Sequence, residues 1–200
     1  MDINAVINHL LRLVRLDTTV FDEVRDDEKE LVPAAVVAVV ASFLAGLGAF
    51  LWWKTVPSST EGLDGVFLNT FLLGSIFMVA LYGVAALVVY FIIVQVFKIQ
   101  VDLQALIRVM GYAAWPLALS VIMFIPGIYP VFALLPLCLL FVMMIYAVQS
   151  VSGADSTQVV LACTAGLGVM FLVLGIIATS SEFPSVPMGA GQFGITFDIG

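Results

Sequence analysis

The chain has 200 residues, 62% of them hydrophobic and 10% charged, with a mean hydropathy of +1.18. Soluble domains carry about 25% charged residues, so this composition excludes an ordinary globular protein. A net charge of −7, with only seven basic residues dispersed along the chain, also excludes the electrostatic footprint of a nucleic-acid binder.

In chain order, residues 1–30 are the polar part. Ile3, Val6, Ile7, Leu10, Leu11 and Val14 recur at the spacing of one helical face, with Arg12 and Arg15 off that stripe. This predicts an interfacial helix whose arginines snorkel toward lipid headgroups. Asp17, Thr18 and Thr19 offer N-cap oxygens for a second short helix carrying Val20, Phe21 and Val24. The acids between Asp17 and Glu30 read as a solvated face that keeps this cytoplasmic, amphipathic segment off the membrane. The segment is too polar for a secretory leader, which makes the first apolar run a retained signal-anchor.

Residues 31–53, 67–97, 109–149 and 158–178 contain no Asp, Glu, Lys, Arg or His. Each reaches the roughly 20 residues that cross a hydrocarbon core of about 30 Å. The first run ends at Trp52, Trp53 and Lys54, an aromatic and basic boundary of the headgroup type, and Pro57 to Gly62 is turn chemistry. The second run is overlong, with its membrane part placed at 71–95. From Ile99, the residues Leu103, Leu106, Ile107 and Met110 mark another helical face, with Lys98 and Arg108 beside it, and predict a second interfacial helix. The run 109–149 is broken by Pro126-Gly127-Ile128-Tyr129-Pro130 into spans at 109–125 and 131–149, holding Pro116 and Pro136. A polar turn at 152–156 precedes the fifth span, 158–178, and 179–200 reads as an irregular tail. The expected fold is all-α: a polytopic membrane protein of five transmembrane helices, 31–178, with amphipathic interfacial helices. With the amino terminus inside, every basic residue except Lys54 lies on the cytoplasmic side, and the carboxy terminus lies outside the cell membrane.

Within the spans the polar residues are hydroxyls and amides such as Ser42, Asn69, Ser75, Gln95, Ser120, Gln149 and Thr164, which suit helix-to-helix hydrogen bonds. The apolar runs hold no ionisable group that would mark a proton relay or ion pathway. His9 lacks a neighbouring metal ligand, Cys138 and Cys163 sit in apolar runs, and no nucleophile has a base beside it, so no catalytic, cofactor or metal site is expected. Ala41, Ala45 and Ala49, with Ser42 and Gly46, form a small-residue seam that suits close helix packing within one chain or between two.

The stretch Arg108-Val109-Met110-Gly111-Tyr112-Ala113-Ala114-Trp115-Pro116 resembles the signature at the third span of the Yip1 family of five-span membrane proteins. Leu13 to Phe21 is similar to the lead-in of compact prokaryotic members. Eukaryotic members are trafficking factors that bind small GTPases of the Rab type. They carry an Asp-Leu-Tyr-Gly-Pro motif at the first span, where this chain reads Glu30-Leu31-Val32-Pro33, without the tyrosine and glycine. By its own chemistry Gly111 permits close backbone contact, Tyr112 and Trp115 suit the headgroup boundary, and Pro116 supplies a kink. Together these features imply a non-enzymatic multi-pass scaffold that recruits partners or organises the membrane. Its expected partners are the lipid bilayer, a cytoplasmic or membrane protein and a second copy of itself. The rival expectation is a transporter or channel for a neutral or lipid-like solute, built around the prolines of spans three and four.

Overall fold

The structure, a computed structural model, describes residues 2–55, 67–125 and 127–180. The turn expected at 57–62, Pro126 of the central breaker and the tail from residue 181 lie outside the described residues.

Five helical segments are long and apolar enough to cross a membrane: Glu28–Thr55, Thr70–Val96, Leu103–Phe124, Val131–Ser152 and Ser156–Ile176. Two short helices precede them, α1 (Ile3–Val14) and α2 (Val20–Asp26). Asp2 caps α1 by accepting from the Asn4 and Ala5 N–H groups. Thr19 stands at the N-cap of α2 without capping it, because its hydroxyl donates to Asp17 at 2.6 Å and accepts from Arg12. Asp17 instead closes a local turn on the Thr19 N–H at 3.2 Å.

A single 3₁₀ turn, Glu28–Glu30, then leads into α3 (Leu31–Thr55). The second span centres on α4 (Gly74–Phe91), with π-helical turns at Phe67–Leu73 and Ile92–Val96. A π turn winds more residues into each unit of length, which takes up the surplus of this overlong run. The second span closes past this last π turn on Lys98, whose φ of 60° fills the left-handed capping position usually given to glycine.

The third span differs from its sequence reading. α5 (Leu103–Ala113) was expected to lie along the interface, yet its residues from Leu106 to Ala113, all but Ile107, are buried among other helices. It runs on into a 3₁₀ segment, Trp115–Phe124, with Pro116 in its first turn. Ten residues of 3₁₀ helix rise about 20 Å where an α-helix would rise about 15 Å. A stretch that looks too short from 109 onward therefore crosses the membrane once α5 is added. Spans four and five are α6 (Tyr129–Ser152), with Pro136 inside it and Gly153 in the left-handed cap at φ 57°, and α7 (Ser156–Ser180).

The third span is the centre of the bundle, 72% buried against 39–44% for the others. It packs between α3 and α6; α4 lies beside α3, and α7 joins α4 to α6. Glycines set the closest approaches. A Cβ on Gly48 would run into the backbone of Ser120 and Val121, and one on Gly46 into Ser75 and Phe71. The small-residue seam of α3 is thus used inside one chain, against the second and third spans.

Candidate functional site

Most of the described charges, Lys54 excepted, gather on the side where α1 and α2 meet the ends of α3, α5 and α6. α2 buries Val20, Phe21 and Val24 completely and packs on α5 and α6. Arg25 of α2 donates through Nη1 to the Ser150 carbonyl of α6 at 2.5 Å. Arg108 of α5 returns the link by donating through Nη2 to the Arg25 carbonyl at 2.6 Å. Arg108 is 5% exposed, and its Nε is buried without a partner.

Beneath this cap lies a polar node inside the bundle. Glu30, 9% exposed, accepts through Oε2 a 2.6 Å hydrogen bond from the hydroxyl of the fully buried Tyr112. The ring of His9 meets Tyr112 edge-on at 5.7 Å, and its Nε2 stands 3.7 Å from Glu23. Arg12 then joins the two short helices: it grips both carboxylate oxygens of Glu23 at 2.7 and 2.8 Å and reaches Asp17 at 2.8 Å and Thr19 at 3.0 Å. Two parallel bonds to one carboxylate fix orientation as well as charge. The Arg12 guanidinium holds the Glu23 carboxyl below its ordinary range, and the Thr19 hydroxyl, followed by Arg12, does the same for Asp17. These acids raise Arg12 in turn, while Arg25 and Asp26 shift each other through their own bond at 2.7 Å.

The sequence-predicted residues divide accordingly. Gly111 faces Ala34 so closely that a Cβ would sit 2.5 Å from the Ala34 carbonyl oxygen. Tyr112, assigned to the headgroup boundary, is in the interior instead, because Glu30 supplies its hydroxyl with an acceptor there. Trp115 is half-buried, and Pro116 stands where α-helix gives way to 3₁₀. Arg12 turns toward α2, whereas Arg15 and Lys98 are exposed. At the far end Trp52 is buried, Trp53 packs against it at 5.3 Å, and Lys54 lies over the Phe50 ring.

Glu30 was read as one more solvated acid and is the residue that sequence reasoning missed. Its signal was position: it and Arg108 each stand one residue outside a charge-free run. Both turn inward, so the margins of the first and third spans carry buried ionisable groups although the runs themselves carry none. Among the described residues no group of three His, Cys, Asp or Glu could hold a metal ion.

Within the stretch that resembles the third-span signature, Gly111 and Tyr112 are therefore packed on the start of the first span, Gly111 on Ala34 and Tyr112 on Glu30. The Yip1 domain matches residues 15–178. The chain belongs to the Yip1 family. No curated protein and no solved structure matches it. The Yip1 match takes in all five spans and the Glu30–Tyr112 bond but begins just beyond the end of α1 at Val14. Helix α1, with His9 and Arg12, lies outside the matched residues.

Proposed function

We propose that this Yip1-family protein is a non-enzymatic membrane scaffold, with α1 and α2 on the cytoplasmic side as its working surface. The observation that carries the reading is the split use of α1. Val6 and Leu13 are buried against the protein, while Ile3, Ile7, Leu11 and Val14 are 50–61% exposed. The Arg12 bonds to Glu23 and Asp17 hold the helix in that attitude, with an apolar row directed away from the domain. Such a row, at the edge of the spans, engages either the acyl boundary of the adjacent leaflet or the apolar face of a partner helix.

Crosslinking in native membranes from a photoreactive residue at position 7 or 11 tests this. Capture of a distinct membrane or cytoplasmic protein, lost on Leu11→Glu, is the expected result. Recovery of the chain alone, with no lipid adduct, removes the support. Orientation is checked with single cysteines at Asp155 and Ser185 and an impermeant thiol reagent on intact cells. Labelling at 185 without 155 fits an amino terminus inside, and the reverse overturns it.

A second reading, passage of a neutral or lipid-like solute, draws support from the change of helix type at Pro116, because discontinuous spans line many transport sites. Its test is flux in proteoliposomes that is lost on Pro116→Ala.

A further inference from the structure

A groove of about 450 Å³ lies between α3, α4 and α5, within the usual range of about 300–1,000 Å³ for ligand sites. Ala38, Val39, Gly83, Leu87, Leu103 and Ile107 are among its walls. These come from the early part of α3, the later part of α4 and the start of α5, so the groove occupies the half of the membrane on the amino-terminal side. Val39, Leu87 and Ile107 are exposed, which in a spanning bundle means that the groove opens sideways to hydrocarbon. Among the described lining residues the one polar side chain is Tyr82, and that hydroxyl donates to the Met110 carbonyl at 2.7 Å.

We propose that this groove holds one acyl chain of a glycerophospholipid from the amino-terminal-side leaflet, with the lipid phosphate at Lys98. The chain's own undescribed segments are poor occupants: residues 56–66 join the opposite ends of α3 and the second span, and residues 181–200 follow the opposite end of α7. A basic residue for the phosphate lies in the chain segment that joins two of the groove's walls. Lys98 is exposed and sits in the link between α4 and α5, two of the three walls. The acid beside that link, Asp102, has its oxygens turned to the Gln104 and Ala105 N–H groups.

The experiment uses the full chain in nanodiscs with two photoactivatable probes bearing the reactive group in the acyl chain, a phosphatidylglycerol and a diacylglycerol. The expected result is adducts concentrated on the groove walls, with several-fold more from the phospholipid. Gly83→Phe fills the groove, and since nothing lies within 4 Å of a Cβ at that position, the fold has room for it. This variant should lose most wall adducts at unchanged thermal stability. Lys98→Gly should level the two probes while stabilising the protein, a combination that a merely structural lysine would not give. Adducts spread evenly over all lipid-facing surfaces, or unchanged by Gly83→Phe in a folded protein, overturn the acyl site. Equal capture of both probes by the unsubstituted chain overturns the headgroup assignment. Loss of a dimer on Gly83→Phe, without loss of lipid adducts, gives the groove to a second copy instead.

Discussion

Removing the Tyr112 hydroxyl isolates the bond that joins the first and third spans. Tyr112→Phe keeps the ring, so it opens no cavity and leaves the edge-on contact with His9 in place. What it takes away is the donor 2.6 Å from Glu30, whose 9% exposed side chain has no other hydrogen-bond donor among the described residues. A hydrogen bond to a charged group contributes about 1.5–3 kcal/mol, and leaving its buried partner unmatched costs a similar amount. The slight exposure of Glu30 admits some water, which places the expected loss at about 2 kcal/mol, in the lower half of that range. Reversible unfolding in mixed micelles, followed by tryptophan fluorescence, measures it. The same assay on Glu30→Gln and on the double variant completes a cycle, with an expected coupling of about 1 kcal/mol or more. A Tyr112→Phe protein within about 0.5 kcal/mol of the original, together with additive effects in the cycle, would refute the bond as a structural tie.

Gly111→Ala should destabilise by about 1–3 kcal/mol, because its Cβ would meet the fixed Ala34 backbone, whereas Gly83→Ala should be neutral or slightly stabilising; the same unfolding assay compares them. Acidification should release α1 from α2. Glu23 and Asp17 are held below their ordinary values of 4.5 and 3.8, so the folded cap binds fewer protons, and its stability is present above those values and lost as pH falls through the lowered ones. Limited proteolysis after α1 should rise over that window, and Arg12→Gln should weaken the pH dependence by removing the Glu23 contribution, leaving the part that the Thr19 hydroxyl holds at Asp17. Ile7→Glu should change stability by less than about 0.5 kcal/mol, since Ile7 is 50% exposed, while abolishing crosslinks from α1. Lys98→Gly should raise stability by about 1–2 kcal/mol by relieving the left-handed residue, read by the same unfolding midpoint.

Residues 31–53, 67–97, 109–149 and 158–178 announced their membrane location because lipid tolerates few unpaired charges, a rule that acts residue by residue and needs no tertiary knowledge. The number of spans followed from the same rule and from the proline-glycine breaker between the third and fourth. Burial at the margins obeys a different physics. Whether Glu30 faces water or protein depends on a hydroxyl 82 positions away, and whether Arg108 lies on the membrane or inside the bundle depends on a carbonyl 83 positions away. Helical periodicity marked Leu103, Leu106, Ile107 and Met110 as one face but could not say that the opposite face was also covered. The path of the third span was equally hidden, since the choice of 3₁₀ over α-helix from Trp115 to Phe124 is made with the small residues of α3 packed against it. Sequence alone therefore determined which segments enter the bilayer, through the one-body cost of placing each side chain in lipid. Only the tertiary structure decided which polar groups satisfy one another and where a groove remains, because those outcomes depend on pairs of residues brought together from distant parts of the chain.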